Sequence, residues 1–112
     1  MGKEKGGSKD DFRSFPKFTS KHQFDGASAM FRALGDPFRL RLLARLAKGE
    51  LSVTELAQLE REKLTTVSAR LKTLYAARLV KRRREAKHIF YALSDSHVLQ
   101  LMQSAMEHAT ES

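Results

Sequence analysis

The spacing of apolar residues changes along this 112-residue chain, and that change limits the folds available to it. Up to Leu74 the apolar residues recur every three or four positions, which is the period of helices that bury one face. From Leu79 to Leu93 the period falls to two, because Ile89 and Tyr91 alternate with their neighbours. The helical period then returns near the end of the chain. The pattern predicts a mainly α-helical domain with one β-hairpin.

Capping residues predict where the first three helices begin and end. The first is expected to start after Asp25 and to end before Gly35, because glycine suits the left-handed position that ends a helix. Asp36 can cap the second helix, and Pro37 suits its first turn. The capping-box pattern from Ser52 to Glu55 predicts the start of the third helix.

The helices have recognisable apolar faces. The face predicted for the first helix consists of Ala27, Met30, Phe31 and Leu34. The second and third helices are expected to turn inward Leu40, Leu43, Leu46, Leu56 and Leu59. The fourth helix is expected to begin near Thr65 and to bury Leu64, Val67, Leu71 and Leu74. Its opposite side is small, polar and basic, with Thr65, Ser68, Ala69 and Lys72.

The end of the chain is predicted to form a hairpin followed by one more helix. The hairpin is expected to turn near Glu85-Ala86, and Ser94 or Asp95 is expected to open the helix. The apolar stripe of this helix is predicted to contain Val98, Leu101, Met102, Ala105 and Ala109.

The excess positive charge lies in one segment. The net charge is +8, and the segment from Arg61 to His88 alone has ten basic and two acidic residues. The rest of the chain carries eleven of each. A block of this kind indicates a polyanionic partner, most often nucleic acid.

Two helices joined by a tight turn and followed by a basic hairpin predict a winged helix-turn-helix that binds double-stranded DNA. The fourth helix would enter the major groove, and the hairpin would reach phosphates. Basic residues expected at this surface are Arg70, Lys72, Lys81, Arg82, Arg83, Arg84 and Lys87. Alternatively, the run from Lys81 to Arg84 is only a solvated edge strand, whose charge discourages aggregation.

Asp95-x-His97 and His108-x-x-Glu111 carry nitrogen and oxygen donors of the types that zinc accepts. On one helix, His97 and His108 would lie roughly 16 Å apart along the axis but within about 20° around it. No single ion spans that distance. A second, antiparallel helix would bring Asp95 and His97 to the partner's His108 and Glu111. This spacing predicts a homodimer with two zinc ions between its C-terminal helices.

The same residues also have a structural interpretation. Asp95 would suit a helix N-cap whether or not it binds metal. His97 and His108 would suit polar positions beside a helix interface. A DNA-binding or chromatin-type protein that is indifferent to zinc would explain the basic segment without the ligand pattern. A small metal-buffering or hydrolytic protein would explain the ligands, although four protein donors leave no open position for a substrate.

The chain resembles the ArsR/SmtB family of metal-sensing bacterial repressors over about residues 27–111. The matching segments are Ala33-Leu34-Gly35-Asp36-Pro37 with Arg39-Leu40, Glu55-Leu56-Ala57-Gln58, Val67-Ser68, Leu71-Lys72, Leu79-Val80, His88-Ile89-Phe90-Tyr91 and the D-x-H…H-x-x-E pattern. The resemblance implies that Asp95, His97, His108 and Glu111 are zinc ligands. It also implies that Thr65 and Ser68 contact DNA. Family members repress genes for metal efflux or sequestration and leave the operator when metal binds.

The sequence departs from the family pattern in several places. Relatives with a second metal site carry cysteine where this chain has Glu50-Leu51-Ser52-Val53, so a thiolate site is not expected. The helix-turn-helix turn, Leu59 to Lys63, has no glycine. Ala69 replaces a frequent histidine, and Ala86 replaces a common glycine at the hairpin tip. The last three of these departures concern the details of base contact and not the DNA-binding class.

Length and composition predict one DNA-binding and dimerisation domain, residues 21–112, after a flexible tail, residues 1–20. The chain has no cysteine and no apolar run of about 18 residues, the minimum for a membrane helix. A cytoplasmic protein without a membrane partner is therefore expected. We expect no enzymatic activity and no small-molecule substrate, because no nucleophile–base pair or glycine-rich phosphate loop is apparent.

Overall fold

A computed structural model describes residues 20–111, which form a winged helix-turn-helix and confirm the predicted fold class. The helices are α1 (Lys21–Leu34), α2 (Pro37–Leu46), α3 (Val53–Glu60), α4 (Leu64–Ala76) and α5 (Ser96–Thr110). The strands are β1 (Leu51–Ser52), β2 (Val80–Glu85) and β3 (His88–Leu93). None of these helices is long and apolar enough to cross a membrane. Residues 1–19 of the expected tail lie outside the described residues.

Helix α1 begins at Lys21, so the predicted start after Asp25 was wrong. The cause is a capping box: the Ser20 hydroxyl accepts from Gln23 N at 3.2 Å, and the Gln23 side chain accepts from Ser20 N at 2.8 Å. This reciprocal pair satisfies backbone groups that a helix start otherwise leaves open. The helix ends before Gly35, as predicted, but the φ of Gly35 is −81°, so the left-handed end was also wrong.

Asp36 and Arg39 fix the junction between α1 and α2. Asp36 caps α2, because its Oδ2 accepts from Arg39 N at 2.9 Å. The Arg39 guanidinium turns back and donates to Ala33 O at 2.7 Å and to Arg32 O at 3.1 Å. The Arg39 side chain therefore satisfies carbonyls at the end of α1 that backbone N–H groups would satisfy in a left-handed glycine cap.

Buried leucines from α2, α3 and α4 form the centre of the core. The fully buried side chains are Leu42, Leu43, Leu56, Val67, Leu71, Leu74 and Leu79. The prediction was wrong for Leu59 and Leu64, whose exposed fractions are 46% and 52%. Both residues lie next to the turn between α3 and α4, where the helices extend past the core. The helical period predicts which face of a helix is apolar. It does not predict how far along the helix other elements pack against that face.

Parts of the apolar stripes of α1 and α5 are also exposed to solvent in the single chain. On α1, Met30 and Leu34 pack against the core, whereas Ala27 and Phe31 are exposed. Along α5, the buried part of the stripe ends at Met102. Ala105 and Ala109, which the sequence placed on the same stripe, are exposed.

The predicted hairpin is confirmed, and it belongs to an antiparallel three-stranded sheet with the order β1-β3-β2. The register pairs Val80 with Leu93 and Glu85 with His88, so the turn falls at Ala86 and Lys87. Strand β1 was not predicted, because two residues are too short to show a period.

Three turns in the described residues adopt left-handed backbone conformations without glycine. Arg61 ends α3 with a φ of 54°, Arg78 follows α4 with a φ of 63°, and Ala86 has a φ of 56° at the tip of the hairpin. The helix-turn-helix turn therefore keeps a left-handed residue although its sequence lacks glycine. Residues other than glycine adopt this conformation at an energetic cost, so all three turns depend on the elements around them.

A buried carboxylate connects α2 to the end of α3. Arg41 Nε donates to Glu60 Oε1 at 3.0 Å, and Arg45 Nε donates to Glu60 Oε2 at 2.9 Å. Only 5% of the Glu60 side chain is exposed. Burial by itself raises the pKa of Glu60, but the two arginine hydrogen bonds outweigh it and leave the pKa below its ordinary value. Glu60 is therefore charged in the folded protein at neutral pH.

Replacing Glu60 with glutamine should destabilise the fold by about 1–3 kcal/mol at pH 7, because charge-assisted hydrogen bonds are lost. The folded-state pKa of Glu60 lies below its unfolded value, so the wild-type advantage is complete above the unfolded value. It disappears as the pH falls through the folded value. Urea unfolding at pH 7 and in the acid range measures both effects. The control is Glu62→Gln in the following turn, which should change stability by less than about 0.5 kcal/mol. Equal losses in the two variants would contradict this role of Glu60.

Candidate DNA-binding surface and metal-ligand pairs

Helix α4 exposes the face that the sequence predicts. Val67, Leu71 and Leu74 are buried, so Thr65 and Lys72 point outward and Ser68 is half-buried. Thr65 and Ser68 are short side chains, and a helix with a short outer face can approach the bases of a major groove closely. The predicted reading face is therefore exposed at Thr65 and Lys72 and partly covered at Ser68.

The start of α4 and the tip of the hairpin form one groove. Thr65 and Ser68 line one side of it, while Lys87 and Ile89 line the other. Thr54 at the start of α3 contributes to the same groove, whose volume is about 270 Å³. The structure thus brings three of the predicted DNA contacts, Thr65, Ser68 and Lys87, to one place.

Arg70 lies against the junction between α1 and α2. Its Nη1 is 3.8 Å from Asp36 Oδ2, and its guanidinium carbon is 5.0 Å from the centre of the Phe38 ring. Lys72, two residues later, forms no hydrogen bond or ion pair with any of residues 20–111. Of the two basic residues predicted on α4, Lys72 is therefore the more available to a phosphate.

The four basic residues of β2 do not share one face. Because side chains alternate along a strand, Arg82 and Arg84 lie on one face of the hairpin, and Lys81 and Arg83 on the other. The Arg82 guanidinium carbon is 4.0 Å from the centre of the Tyr75 ring at the end of α4. Arg82 is thus directed towards α4, in a cation–π contact with Tyr75.

Arg83 is tied to carboxylates of the same chain. Its Nε and Nη2 donate to the two oxygens of Glu50 at 2.8 Å each, and its Nη1 donates to Glu85 Oε1 at 2.7 Å. These bonds raise the pKa of Arg83, and the hydrogen bond from Arg83 lowers the pKa of Glu50. The bidentate pair connects the hairpin to the residue before β1. The sequence did not reveal this partnership, because Glu50 and Arg83 are 33 positions apart.

One predicted ligand pair lies at the start of α5. Asp95 is its N-cap: Asp95 Oδ1 accepts from His97 N at 2.9 Å and from Val98 N at 3.2 Å. His97 Nδ1 is 3.7 Å from the same carboxylate oxygen. The other oxygen, Asp95 Oδ2, accepts no hydrogen bond from residues 20–111. The carboxylate therefore serves the helix with one oxygen and leaves the other exposed.

The second pair lies at the other end of α5. His108 Nδ1 is 3.5 Å from Glu111 Oε1, and Glu111 follows the last turn of the helix. The His97 and His108 side chains are each 87% exposed. No group of three or more potential ligands comes together within the described part of one chain. One chain thus brings each pair together but does not bring the two pairs to each other.

Large apolar side chains are also exposed on α1 and α5. Phe24 and Phe31 are seven residues apart on α1, so they lie on one side of that helix, and the exposed fraction of Phe31 is 64%. Met106 is exposed on α5, between the two ligand pairs. Large apolar side chains exposed on one face of a helix are typical of surfaces that contact another protein.

Comparison with known proteins agrees with this architecture. A family model described as a helix-turn-helix domain matches residues 34–83. The chain is 39% identical over 97 residues to a transcriptional repressor SmtB homolog from Synechocystis sp., across 87% of this chain and 74% of that protein. This chain belongs to the ArsR/SmtB family. Its members are winged-helix transcriptional repressors that bind DNA, which confirms the expectation that the protein is not an enzyme.

One further relative and one solved structure extend the comparison. A cadmium resistance transcriptional regulatory protein CadC homolog from Staphylococcus aureus is 35% identical over 83 residues, which are 73% of this chain and 69% of that protein. A homodimeric winged helix-turn-helix DNA-binding domain from Mycobacterium bovis, solved by NMR, superposes with a TM-score of 0.76 at 29% identity. The match covers 85% of this chain and 90% of the M. bovis domain.

Arg84 and Arg83 should differ in their contributions to DNA affinity, although they are neighbours. Arg84 forms no ion pair within residues 20–111, whereas Arg83 is already paired with Glu50. Arg84→Ala should reduce the slope of log affinity against log salt concentration by about 1, which corresponds to one lost phosphate contact. Arg83→Ala should leave the slope nearly unchanged. Fluorescence anisotropy with a non-specific duplex at several salt concentrations measures both slopes. Equal reductions would show that Arg83 leaves Glu50 to contact DNA.

Proposed function

We propose that this chain is a zinc-responsive transcriptional repressor. The metal-free homodimer binds operator DNA, and zinc at the dimer interface lowers the DNA affinity and so derepresses genes for metal efflux or sequestration. The observation that carries this proposal is the placement of two exposed ligand pairs, Asp95 with His97 and His108 with Glu111, at opposite ends of α5. The groove between α4 and the hairpin tip, with Thr65, Ser68 and Lys87, would be part of the DNA-binding surface.

The donor separations suit a zinc ion. Two donors that each lie about 2.1 Å from a tetrahedral ion are separated by about 3.4 Å. The His97–Asp95 and His108–Glu111 atom pairs lie 3.7 and 3.5 Å apart, so each pair needs little movement to share an ion. Two imidazoles and two carboxylates would complete a four-ligand site. The chain has no cysteine, so the site lacks the thiolates that softer metal ions favour.

A two-fold axis would complete the site. Helix α5 is continuous from Ser96 to Thr110, so its two ligand pairs are held roughly 16 Å apart at about 1.5 Å per residue. An antiparallel copy of α5 would place the first pair of each chain beside the second pair of the other. Closed two-fold symmetry then gives two identical sites and two zinc ions per dimer.

The exposed apolar side chains support the same dimer. Phe24 and Phe31 on α1 and Met106 on α5 would be buried between the two chains. The homodimeric state of the M. bovis domain supports this arrangement for a chain of the same fold. An interface that includes α5 would make zinc binding and chain association mutually dependent.

The proposed DNA-binding face must fit double-stranded DNA, whose groove spacing is fixed. Thr65, Ser68 and Lys72 on α4 would contact the major groove, while Arg84 and Lys87 would reach phosphates beside it. The two copies of α4 must enter successive major grooves about 34 Å apart. Zinc that clamps the two α5 helices would change this separation or its stiffness. A coupling of about 1–3 kcal/mol corresponds to a change in DNA affinity of roughly 5–150-fold.

A winged-helix repressor that zinc does not control is the second candidate. It is favoured by the cap that Asp95 forms, because both hydrogen bonds to Asp95 Oδ1 stabilise α5 without a metal. In that case the carboxylate and the imidazoles serve the structure of the helix and its surroundings. The two functions differ in the response of DNA binding to zinc.

Phe31→Glu should convert the dimer to a monomer, because a carboxylate would be buried in the apolar interface without a partner. Sedimentation velocity in the presence of a chelator measures the change. The control is His22→Glu, which places a carboxylate on the opposite side of α1 and should leave the dimer intact. A dimeric Phe31→Glu variant would place the interface elsewhere.

Zinc should release the protein from its operator. The wild-type chain is titrated onto a labelled duplex from upstream of its own gene, at fixed salt, first with chelator and then with zinc. We expect tight binding that weakens by roughly 5–150-fold once about one zinc per chain is present. Tight binding that is unchanged by zinc would favour the second candidate.

Asp95→Asn separates metal binding from helix capping. Asparagine caps helices about as well as aspartate, so the variant should keep its stability and its DNA affinity in chelator. It should lose the zinc response, because a neutral amide replaces a carboxylate ligand. Asp95→Ala should lose the response and also about 1 kcal/mol of stability.

His97→Ala should bind DNA without responding to zinc. If His97→Ala cannot bind DNA, the Asp95–His97 pair has a structural role and is not a sensor. If Asp95→Asn keeps a full zinc response, Asp95 caps α5 and is not a zinc ligand.

A further inference from the structure

A cleft lies between α2 and the end of α3, on residues that the DNA-binding face and the ligand pairs do not use. Its volume is about 580 Å³, which is within the range of pockets that hold small molecules. Its walls come from α2, from the turn that follows α2 and from the last turn of α3. Neither the proposed zinc response nor the proposed DNA contacts explain it.

The cleft has more positive than negative charge available to a ligand. Arg41, Arg45 and Lys48 line it together with Glu50 and Glu60. Both oxygens of Glu50 accept from Arg83, and both oxygens of Glu60 accept from the two arginines of α2. Each of these carboxylate oxygens therefore already accepts a hydrogen bond from an arginine of the chain. Lys48 Nζ and the two Nη atoms of Arg41 donate to none of residues 20–111. These donors would attract an anion.

The same cleft has an apolar wall. Leu59 is 46% exposed, although Leu56 on the same helix is fully buried. Leu51 and Ala44 line the cleft beside it, and the aliphatic parts of the arginine side chains extend the apolar surface. Inorganic phosphate or a DNA phosphate would use the cationic donors and leave this wall in contact with water. A ligand with an apolar chain would cover it.

We propose that this cleft binds an amphipathic organic anion, an aliphatic chain that ends in a carboxylate. The carboxylate accepts hydrogen bonds from Arg41 and Lys48, and the chain lies against Leu51 and Leu59. Charge complementarity at one end and burial of apolar surface at the other favour this class over a purely ionic or a purely apolar ligand. Glu60 keeps Arg41 and Arg45 in position at the edge of the cleft.

Octanoate is the probe, and isothermal titration calorimetry with zinc removed by a chelator is the measurement. We expect saturable binding of one octanoate per chain. Acetate, which has the carboxylate without the chain, and inorganic phosphate should each bind at least tenfold more weakly. No saturable octanoate binding, or equal affinity for acetate or phosphate, would overturn the proposal. The assay contains neither DNA nor zinc, so its outcome is independent of the repressor mechanism.

Matched variants locate the site. Lys48→Ala and Leu59→Asn should each weaken octanoate binding at least fivefold. Lys72→Ala removes the same charge from α4, and Leu64→Asn removes a similarly exposed leucine, 52% against 46%, from outside the cleft. Both control variants should bind octanoate as the wild type does. Equal losses in the cleft variants and the controls would show that octanoate binds the surface non-specifically and would contradict the assignment.

Discussion

Burial of leucines between α2, α3 and α4 is the interaction on which the rest of the structure depends. Leu42, Leu56 and Leu71 come from three different helices and are fully buried, and each fully buried leucine contributes about 1.5–3 kcal/mol of transfer free energy. Because Leu71 and Leu74 point inward, the short and basic side chains of α4 point outward. The same packing holds the hairpin, through Val80 and Tyr91, against the helices. The position of the DNA-binding face follows from the core rather than from contacts within that face.

Much of the fold could be predicted because its signals are local. Asp36 and Ser52 each cap the helix that follows them, and the alternation around Tyr91 marks the hairpin, so these elements were found from neighbouring residues alone. The capping box at Ser20 is equally local and was overlooked. The exposure of Leu64 could not be predicted from the sequence, because the helical period does not show which part of a helix other elements cover.

The candidate site was predictable to a smaller extent. The sequence shows where the basic residues are, but not which of them are free to bind DNA. The sequence shows a run of four basic residues but not that Arg83 is paired with Glu50, since that contact depends on the fold. The ligand types at the two ends of α5 were read from the sequence, and the structure brings Asp95 to His97 and His108 to Glu111. Zinc binding and the DNA contacts remain predictions, because they depend on molecules other than one chain.

The division of the proposed ligands between the two ends of α5 would make the zinc response depend on how much of the protein a cell contains. Each pair offers two donors, and α5 keeps the pairs too far apart for one chain to complete a site. The zinc affinity of the proposed repressor would therefore rise with its own abundance, because more of the chains would be dimeric. A cell that made fewer copies would need a higher zinc concentration to relieve repression at each occupied operator. The threshold of the response would be set by gene expression as well as by ligand chemistry.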